Sequence, residues 1–183
     1  LRVLLLSGNK LHICISRPMR SGLFVHLSLL EKLELSRNGI TFLPWNIFQG
    51  LSNLTYLALS ENKLTSLLPY TLSENKFTSL LPHSFRSLRN LKHLELSWNK
   101  LASLWPKTFI NLGNLKYLDL SHNVIKQLPP LLFVPLARLQ LLNISSNELD
   151  RMAAWFSYTP AINNVDISFN KITYLDTNTT VFL

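Results

Sequence analysis

The segment Leu115-Lys-Tyr-Leu-Asp-Leu-Ser-His-Asn123 carries a spaced pattern of leucines and a closing asparagine that returns along the whole chain. The closing asparagines of all copies are Asn9, Asn38, Asn62, Asn75, Asn99, Asn123, Asn147 and Asn170. By subtraction they lie 29, 24, 13, 24, 24, 24 and 23 residues apart. Repeats of about 20 to 50 residues are typical of chains that stack similar coils, because one repeat cannot bury its apolar face alone.

Alternation within this segment predicts a short β-strand, because successive strand side chains point to opposite faces. Leu118 and Leu120 are predicted to face the core, and Tyr117, Asp119 and Ser121 are predicted to point outward. The same pattern in the other copies predicts parallel strands that stack side by side into one sheet.

The closing asparagine of each copy is predicted to turn the chain out of its strand. Its side-chain amide both donates and accepts hydrogen bonds, so a column of such amides can satisfy the backbone groups of buried turns. The predicted structural ladder is Asn9, Asn38, Asn62, Asn99, Asn123, Asn147 and Asn170. Ten residues after Asn38, Asn75, Asn99 and Asn123 stand Phe48, Phe85, Phe109 and Phe133, which are predicted to stack as a second spine under the convex side.

Leu-x-x-Leu-x-Leu-x-x-Asn at the head of a period of 24 residues indicates a leucine-rich repeat solenoid. The predicted fold is an α/β-type repeat, a curved horseshoe with a parallel concave β-sheet and an irregular or short-helical convex side. Residues 1–183 are interpreted as a single solenoid fragment of about seven coils, uncapped at both ends, since neither end has a polar capping repeat.

Residues 60–72 are followed at once by a near-copy of themselves, residues 73–85. Thirteen residues fall short of the twenty or so that one coil requires, so the second copy is not expected to add a complete rung. The duplication therefore predicts either a loop extruded from the solenoid or a distorted coil.

Composition adds modest evidence on compartment and partners. The formal net charge is +8, but the chain has no specific nucleic-acid motif. Five lysines that follow a repeat asparagine are expected along one lateral rim, which is interpreted as a solvated edge or as a site for an anionic ligand: Lys10, Lys63, Lys76, Lys100 and Lys171. The single cysteine, Cys14, is at an apolar repeat position and is predicted to be buried.

Three sequons for N-glycosylation begin at Asn53, Asn143 and Asn178, which favours an extracellular or luminal location. No apolar run is long enough to span a bilayer, so membrane attachment is expected only through segments outside the chain.

The copy that begins at Leu91 and ends at Asn99, followed by Leu101, Leu104 and Phe109, resembles the typical 24-residue class of leucine-rich repeat. The chain lacks the Gly-x-Ile-Pro stretch of plant receptor repeats and resembles the extracellular repeats of Toll-like receptor ectodomains. That resemblance implies a receptor module that binds a protein or microbial ligand, forms a receptor dimer and contributes to innate immune signalling. A secreted matrix or cell-adhesion protein of the same repeat class is the alternative.

The outward strand positions are predicted to form a ligand-binding concave surface, because stacked coils bring tyrosine, histidine and carboxylate side chains together. The predicted ligand-binding residues are Tyr56, His93, Glu95, Tyr117, Asp119, Leu141, Asn143 and Asp166. The competing interpretation is that these positions tolerate polar residues and contact no ligand. No catalytic residue, metal ligand or cofactor is predicted, because the surface lacks an activated nucleophile, a phosphate loop and a second nearby histidine.

Overall fold

The computed structural model describes residues 1–11, 22–44, 46–65, 84–153, 155–156 and 159–175. Its main sheet has seven parallel strands in the order β1-β2-β3-β4-β5-β6-β8, and β7 and β9 form a second parallel pair. The strands are β1 Val3–Leu5, β2 Lys32–Glu34, β3 Tyr56–Ala58, β4 His93–Glu95, β5 Tyr117–Asp119, β6 Leu141–Asn143, β7 Arg151–Met152, β8 Asn164–Asp166 and β9 Tyr174–Leu175. The predicted parallel-sheet solenoid is confirmed.

Each strand of the main sheet is three residues long and sends its middle side chain into the core. Leu118 and Leu120 are fully buried, whereas Tyr117 and Asp119 are half-buried on the outer face, as predicted. The prediction for Ser121 is wrong, since only 4% of it is exposed. The strand ends at Asp119, so the two-residue alternation no longer applies to Ser121.

The phenylalanine spine is confirmed, and its rings lie parallel in the core. Phe48 stacks on Phe85 with ring centroids 6.0 Å apart, and Phe109 stacks on Phe133 at 6.5 Å. Phe156, 6.1 Å from Phe133, extends this spine. The sequence pattern missed Phe156 because it follows its repeat asparagine by nine residues instead of ten.

The convex side of the coils consists of turns, and no helix occurs in the ranges that the structure describes. The backbone N–H of Leu112 donates to the carbonyl of Phe109, and that of Leu115 donates to the carbonyl of Leu112. These are single bonds between residues three apart, and they do not continue into a helix. Of the two predicted forms of the convex side, the irregular one is observed.

The repeat asparagines bond the turns of neighbouring coils together. Nδ2 of Asn123 donates to the carbonyls of Leu96, Leu120 and Ser121 at 3.0 to 3.1 Å. Its Oδ1 accepts from the backbone N–H of Leu101 at 3.0 Å. Nδ2 donates in the same way at Asn38, Asn62, Asn99, Asn147 and Asn170, and Asn9 bonds within its own turn. One amide therefore bonds to four backbone groups from two coils.

Strands β3 and β4 are direct neighbours although the duplicated segment separates them in sequence. Tyr56 pairs with His93, and the backbone N–H of Leu64 donates to Oδ1 of Asn99 at 3.0 Å. Phe85, from the second copy, is fully buried against Phe48. Residues 66–83, which contain Asn75 and most of the predicted loop, lie outside the described residues. The described part of this coil thus consists of the start of the first copy and the end of the second.

A deletion of residues 66–78 tests the extruded-loop interpretation while it retains Asn62, Thr65 and Phe85. It removes thirteen residues and restores the spacing of ten between the repeat asparagine and its phenylalanine. We expect the free energy of unfolding to stay within about 1 kcal/mol of the parent or to rise, because a shorter loop has a smaller closure entropy. Urea denaturation measures this difference.

A deletion of residues 73–85 serves as the matched comparison, because it removes the same number of residues but also the ring of Phe85. It should lower stability more than the first deletion by about 1 kcal/mol, since Leu72 would have to replace a buried phenylalanine. Loss of cooperative unfolding in both variants would mean that the duplicated segment is an essential part of the coil.

Candidate recognition surface

An aromatic column runs across the concave face, formed by Tyr56, His93 and Tyr117 from three successive strands of the sheet. The strand register places these residues directly side by side. The ring centroids of Tyr56 and His93 are 6.1 Å apart, and those of His93 and Tyr117 are 5.9 Å apart, with tilts of 36° and 32°. His93 is exposed and both tyrosines are half-buried. The column therefore presents a semi-rigid aromatic surface to solvent.

A carboxylate column lies beside the aromatic column, two residues further along each strand. Glu95 pairs with Asp119 across neighbouring strands, and both are half-buried. The hydroxyl of Tyr56 donates to Oε1 of Glu95 at 2.7 Å. Neither carboxylate forms an ion pair with another residue that the structure describes. Two negative charges thus lie together without an ion pair to any described residue, in a protein of net charge +8.

The electrostatics of the face keep both tyrosine hydroxyls protonated. Burial, the hydrogen bond to Glu95 and the negative charge of Glu95 raise the pKa of Tyr56 well above its usual value. Burial and the charges of Asp119 and Glu95 also raise the pKa of Tyr117. Both hydroxyls therefore remain hydrogen-bond donors throughout the physiological pH range.

The strip of the concave face between the aromatic and carboxylate columns is termed the trough, and the ammonium group of Lys32 lies at its β2 end. Its ammonium nitrogen lies 4.7 Å from the ring centroid of Tyr56 and 2.7 Å from Oε1 of Glu34. Such an arrangement combines a cation–π contact with an ion pair. The face thus binds one cationic group of its own.

The structure brings five of the predicted ligand-binding residues together: Tyr56, His93, Glu95, Tyr117 and Asp119. Leu141 and Asn143 continue the two columns on β6, and Asp166 lies at the far end on β8. Oδ1 of Asn143 accepts from the backbone N–H of Ser145 at 3.0 Å. Oδ1 of Asp166 accepts from the hydroxyl and from the backbone N–H of Ser168, and these two bonds lower the pKa of Asp166. At these last two positions the side chain also shapes the turn that follows its strand.

A metal-dependent interpretation of the face finds no support in its geometry. Within the described ranges, no group of three or more histidine, cysteine, aspartate or glutamate residues is arranged to hold a metal ion. What the arrangement can do is bind, by aromatic contact, hydrogen bonding and charge.

The residues immediately before the repeat asparagines form a column that the sequence analysis missed. Each has a positive φ angle between 52° and 76°: Gly8, Arg37, Glu61, Trp98, His122, Ser146 and Phe169. Trp98 stacks on His122 with ring centroids 3.9 Å apart and is 57% exposed. Glycine occupies only one of these positions, so residue type did not reveal the left-handed backbone.

A second row of asparagines bonds neighbouring coils together, and the sequence pattern did not predict it. Nδ2 of Asn53, Asn90 and Asn114 donates to the carbonyl of Ser28, Ser52 and Arg89 respectively. Each lies nine residues before a ladder asparagine, and that fixed offset is the signal that could have found the row. These bonds join neighbouring coils at the edge where the strands begin.

The predicted glycosylation sites lie in different surroundings. Asn53 is exposed, and Asn143 is half-buried on the concave face. Asn178 lies outside the described residues, as do Lys76 of the lysine rim and Cys14. Lys10, Lys63, Lys100 and Lys171 are exposed, and Lys171 lies 3.4 Å from Glu148. Among the described residues no helix has the length and apolarity to cross a membrane.

Family comparison assigns the class of the chain. A family model described as "Leucine rich repeat" matches residues 28–73 and 99–149, and a second one matches residues 87–103. The first match alone covers more than half of the sequence, so the chain belongs to the leucine-rich repeat family. Solenoids of this family are scaffolds that bind other proteins on their extended surfaces.

Among solved structures, the fold is similar to one described as "Crystal structure of mouse RP105/MD-1 complex", with a TM-score of 0.72 and 24% sequence identity. The alignment covers 88% of this chain and 26% of that chain. This likeness shows the fold. No curated protein sequence matches the chain.

Proposed function

We propose that the chain is the recognition module of an extracellular receptor and binds a protein partner through the concave face around Tyr117. The observation that carries this proposal is the aromatic column beside two carboxylates without ion pairs. Tyrosine side chains offer rigid contact area, and carboxylates fix the choice and orientation of a partner. Ordered, half-exposed aromatic rings of this kind are typical of protein interfaces.

Two further observations support the receptor setting. The sequon at Asn53 lies on an exposed turn, and this favours an extracellular glycoprotein. The similar RP105 structure was solved in complex with a second protein, MD-1, which supports binding of a protein partner. A role in innate immune signalling, with receptor dimers, is the specific form of this proposal.

A photo-crosslinking amino acid at position 117 tests the proposal in the full-length protein displayed on cells. We expect covalent capture of a specific extracellular protein from position 117 and none from position 134, which lies exposed on a convex turn. The captured protein is then purified, and its affinity for the receptor is measured by biolayer interferometry. Capture from position 134 alone would place the interface on the convex side and overturn the proposal.

Substitution of Tyr117 quantifies the contribution of the concave face to that affinity. Tyr117→Ala should weaken binding by about 1 kcal/mol or more, since aromatic residues dominate interface energies. Tyr174→Ala is the matched control, because Tyr174 is 59% exposed on β9, away from the main sheet. Equal affinity in both variants, with unchanged circular dichroism, would exclude the aromatic column as the site.

A further inference from the structure

The charged groups along the trough differ between its β2 end and its β4 and β5 end. On β2 it contains the ammonium group of Lys32, held between Tyr56 and Glu34. On β4, β5 and β6 the outward positions carry no lysine or arginine: they are His93, Glu95, Tyr117, Asp119, Leu141 and Asn143. A tyrosine ring and a carboxylate are repeated there, with His93 at the register position of Lys32 and with no lysine or arginine of the described residues paired to Glu95 or Asp119.

The two carboxylates in the second half of the trough repel each other unless a cation joins them. Glu95 and Asp119 are register partners on neighbouring strands, which lie about 4.8 Å apart in a β-sheet. Each retains acceptor capacity, because a carboxylate can accept about four hydrogen bonds. Glu95 accepts one from Tyr56, and Asp119 accepts from the backbone N–H of Ser121 and interacts with the hydroxyl of Tyr117. The partial burial that raises the pKa of Tyr117 also strengthens any charge interaction at this point.

We propose that this second half of the trough binds an arginine side chain of the protein partner, with the guanidinium between Glu95 and Asp119 and against the ring of Tyr117. This inference rests on the proposed function, since it names the chemistry of the partner for the same face. Arginine fits better than lysine, because its planar fork of five N–H donors can bond two carboxylates and stack on a ring. Lys32 provides the internal example of a cation in this trough.

A metal ion is the competing occupant of paired carboxylates, and the geometry disfavours it. Glu95, Asp119 and His93 do not converge as a metal-binding group within the described residues. The tyrosine ring also contributes nothing to a hard metal ion, which takes oxygen ligands, whereas it does stabilise an organic cation above its face.

The test uses three short peptides that differ at one residue: acetyl-Gly-Arg-Gly-amide, its lysine analogue and its citrulline analogue. Citrulline has the shape of arginine without the charge. Binding is followed by NMR of the tyrosine ring signals. We expect saturable shifts of the Tyr117 signals with the arginine peptide, at least about threefold weaker binding of the lysine peptide, and no saturation with citrulline.

A charge-matched pair of double variants separates a specific site from general attraction. Glu95→Gln with Asp119→Asn should lower the affinity for the arginine peptide at least about tenfold, because it removes both charged acceptors and keeps the shape. Glu148→Gln with Asp150→Asn removes the same net charge elsewhere and should change it less than about twofold. Equal losses in the two double variants, or no saturable binding to the parent, would overturn the inference.

The outcomes also distinguish this inference from the proposed function. A partner captured from position 117 that binds the Glu95 and Asp119 double variant with parental affinity would leave the concave interface intact and refute the arginine site. Failure of capture from position 117 would refute the concave interface itself.

Discussion

Phe109→Ala is expected to lower the free energy of unfolding by about 3 to 5 kcal/mol, the range for removal of a buried aromatic ring. Phe109 is fully buried, and its ring lies parallel to that of Phe133 at a centroid distance of 6.5 Å. The truncation leaves a cavity in the core that neighbouring coils cannot close, because their own rings are held in register. Urea denaturation followed by tryptophan fluorescence measures the loss.

Phe169→Ala is the control for that experiment, since it is the same substitution at a ring that is 84% exposed. It should change stability by less than about 0.5 kcal/mol. A loss below about 1 kcal/mol in Phe109→Ala would mean that the phenylalanine spine does not carry the stability of the coils.

The parts of the fold that sequence predicted are those set by residue chemistry at a fixed offset. Leu118 and Leu120 follow the two-residue period of a strand, and Phe109 and Phe133 follow their asparagines by ten residues. These offsets are constant because each coil must match its neighbours to bury apolar surface. The sheet and the spine could therefore be deduced from one copy of the repeat and the number of residues between copies.

Features that depend on tertiary surroundings were beyond the sequence pattern. Ser121 is buried although the alternation of the strand assigned it outward, because the strand ends two residues earlier. Trp98 and His122 adopt left-handed backbone angles that neither residue type would predict. Their close stacking depends on that shared conformation, so residue identity could not reveal it.

The candidate site was predictable as a set of positions but not as a set of interactions. Register alone places Tyr56, His93 and Tyr117 in one column. Glu34 pairs with Lys32 on its own strand, and whether a lysine from another strand would reach Glu95 depends on the conformation of a flexible side chain. Among the described residues, the trough has a cation at one half and two carboxylates without ion pairs at the other, and only three-dimensional contacts reveal this difference.

Asn123→Ala is the second substitution with a large expected effect, a loss of about 2 to 4 kcal/mol. It removes four hydrogen bonds from a side chain that is only 7% exposed. The N–H of Leu101 loses its bond, whereas the carbonyls of Leu96, Leu120 and Ser121 each keep a second one, from Asn99, Asn147 and Trp98 respectively. A buried backbone N–H without a partner costs about 1 to 3 kcal/mol, and the loss of one of two bonds at each of three carbonyls adds a smaller amount. Thermal and urea unfolding measure the loss.

Asn90→Ala is the matched control, because Asn90 belongs to the second row of asparagines and is exposed. Its side chain makes one bond between coils, from Nδ2 to the carbonyl of Ser52 at 2.9 Å, and water can replace that bond. We expect a loss below about 1 kcal/mol, since a solvent-exposed hydrogen bond contributes little net stability. Equal losses in Asn123→Ala and Asn90→Ala would show that contact between coils, rather than satisfaction of buried backbone groups, determines the contribution of an asparagine. A clear excess in Asn123→Ala identifies the ladder as the element that makes each coil depend on the next.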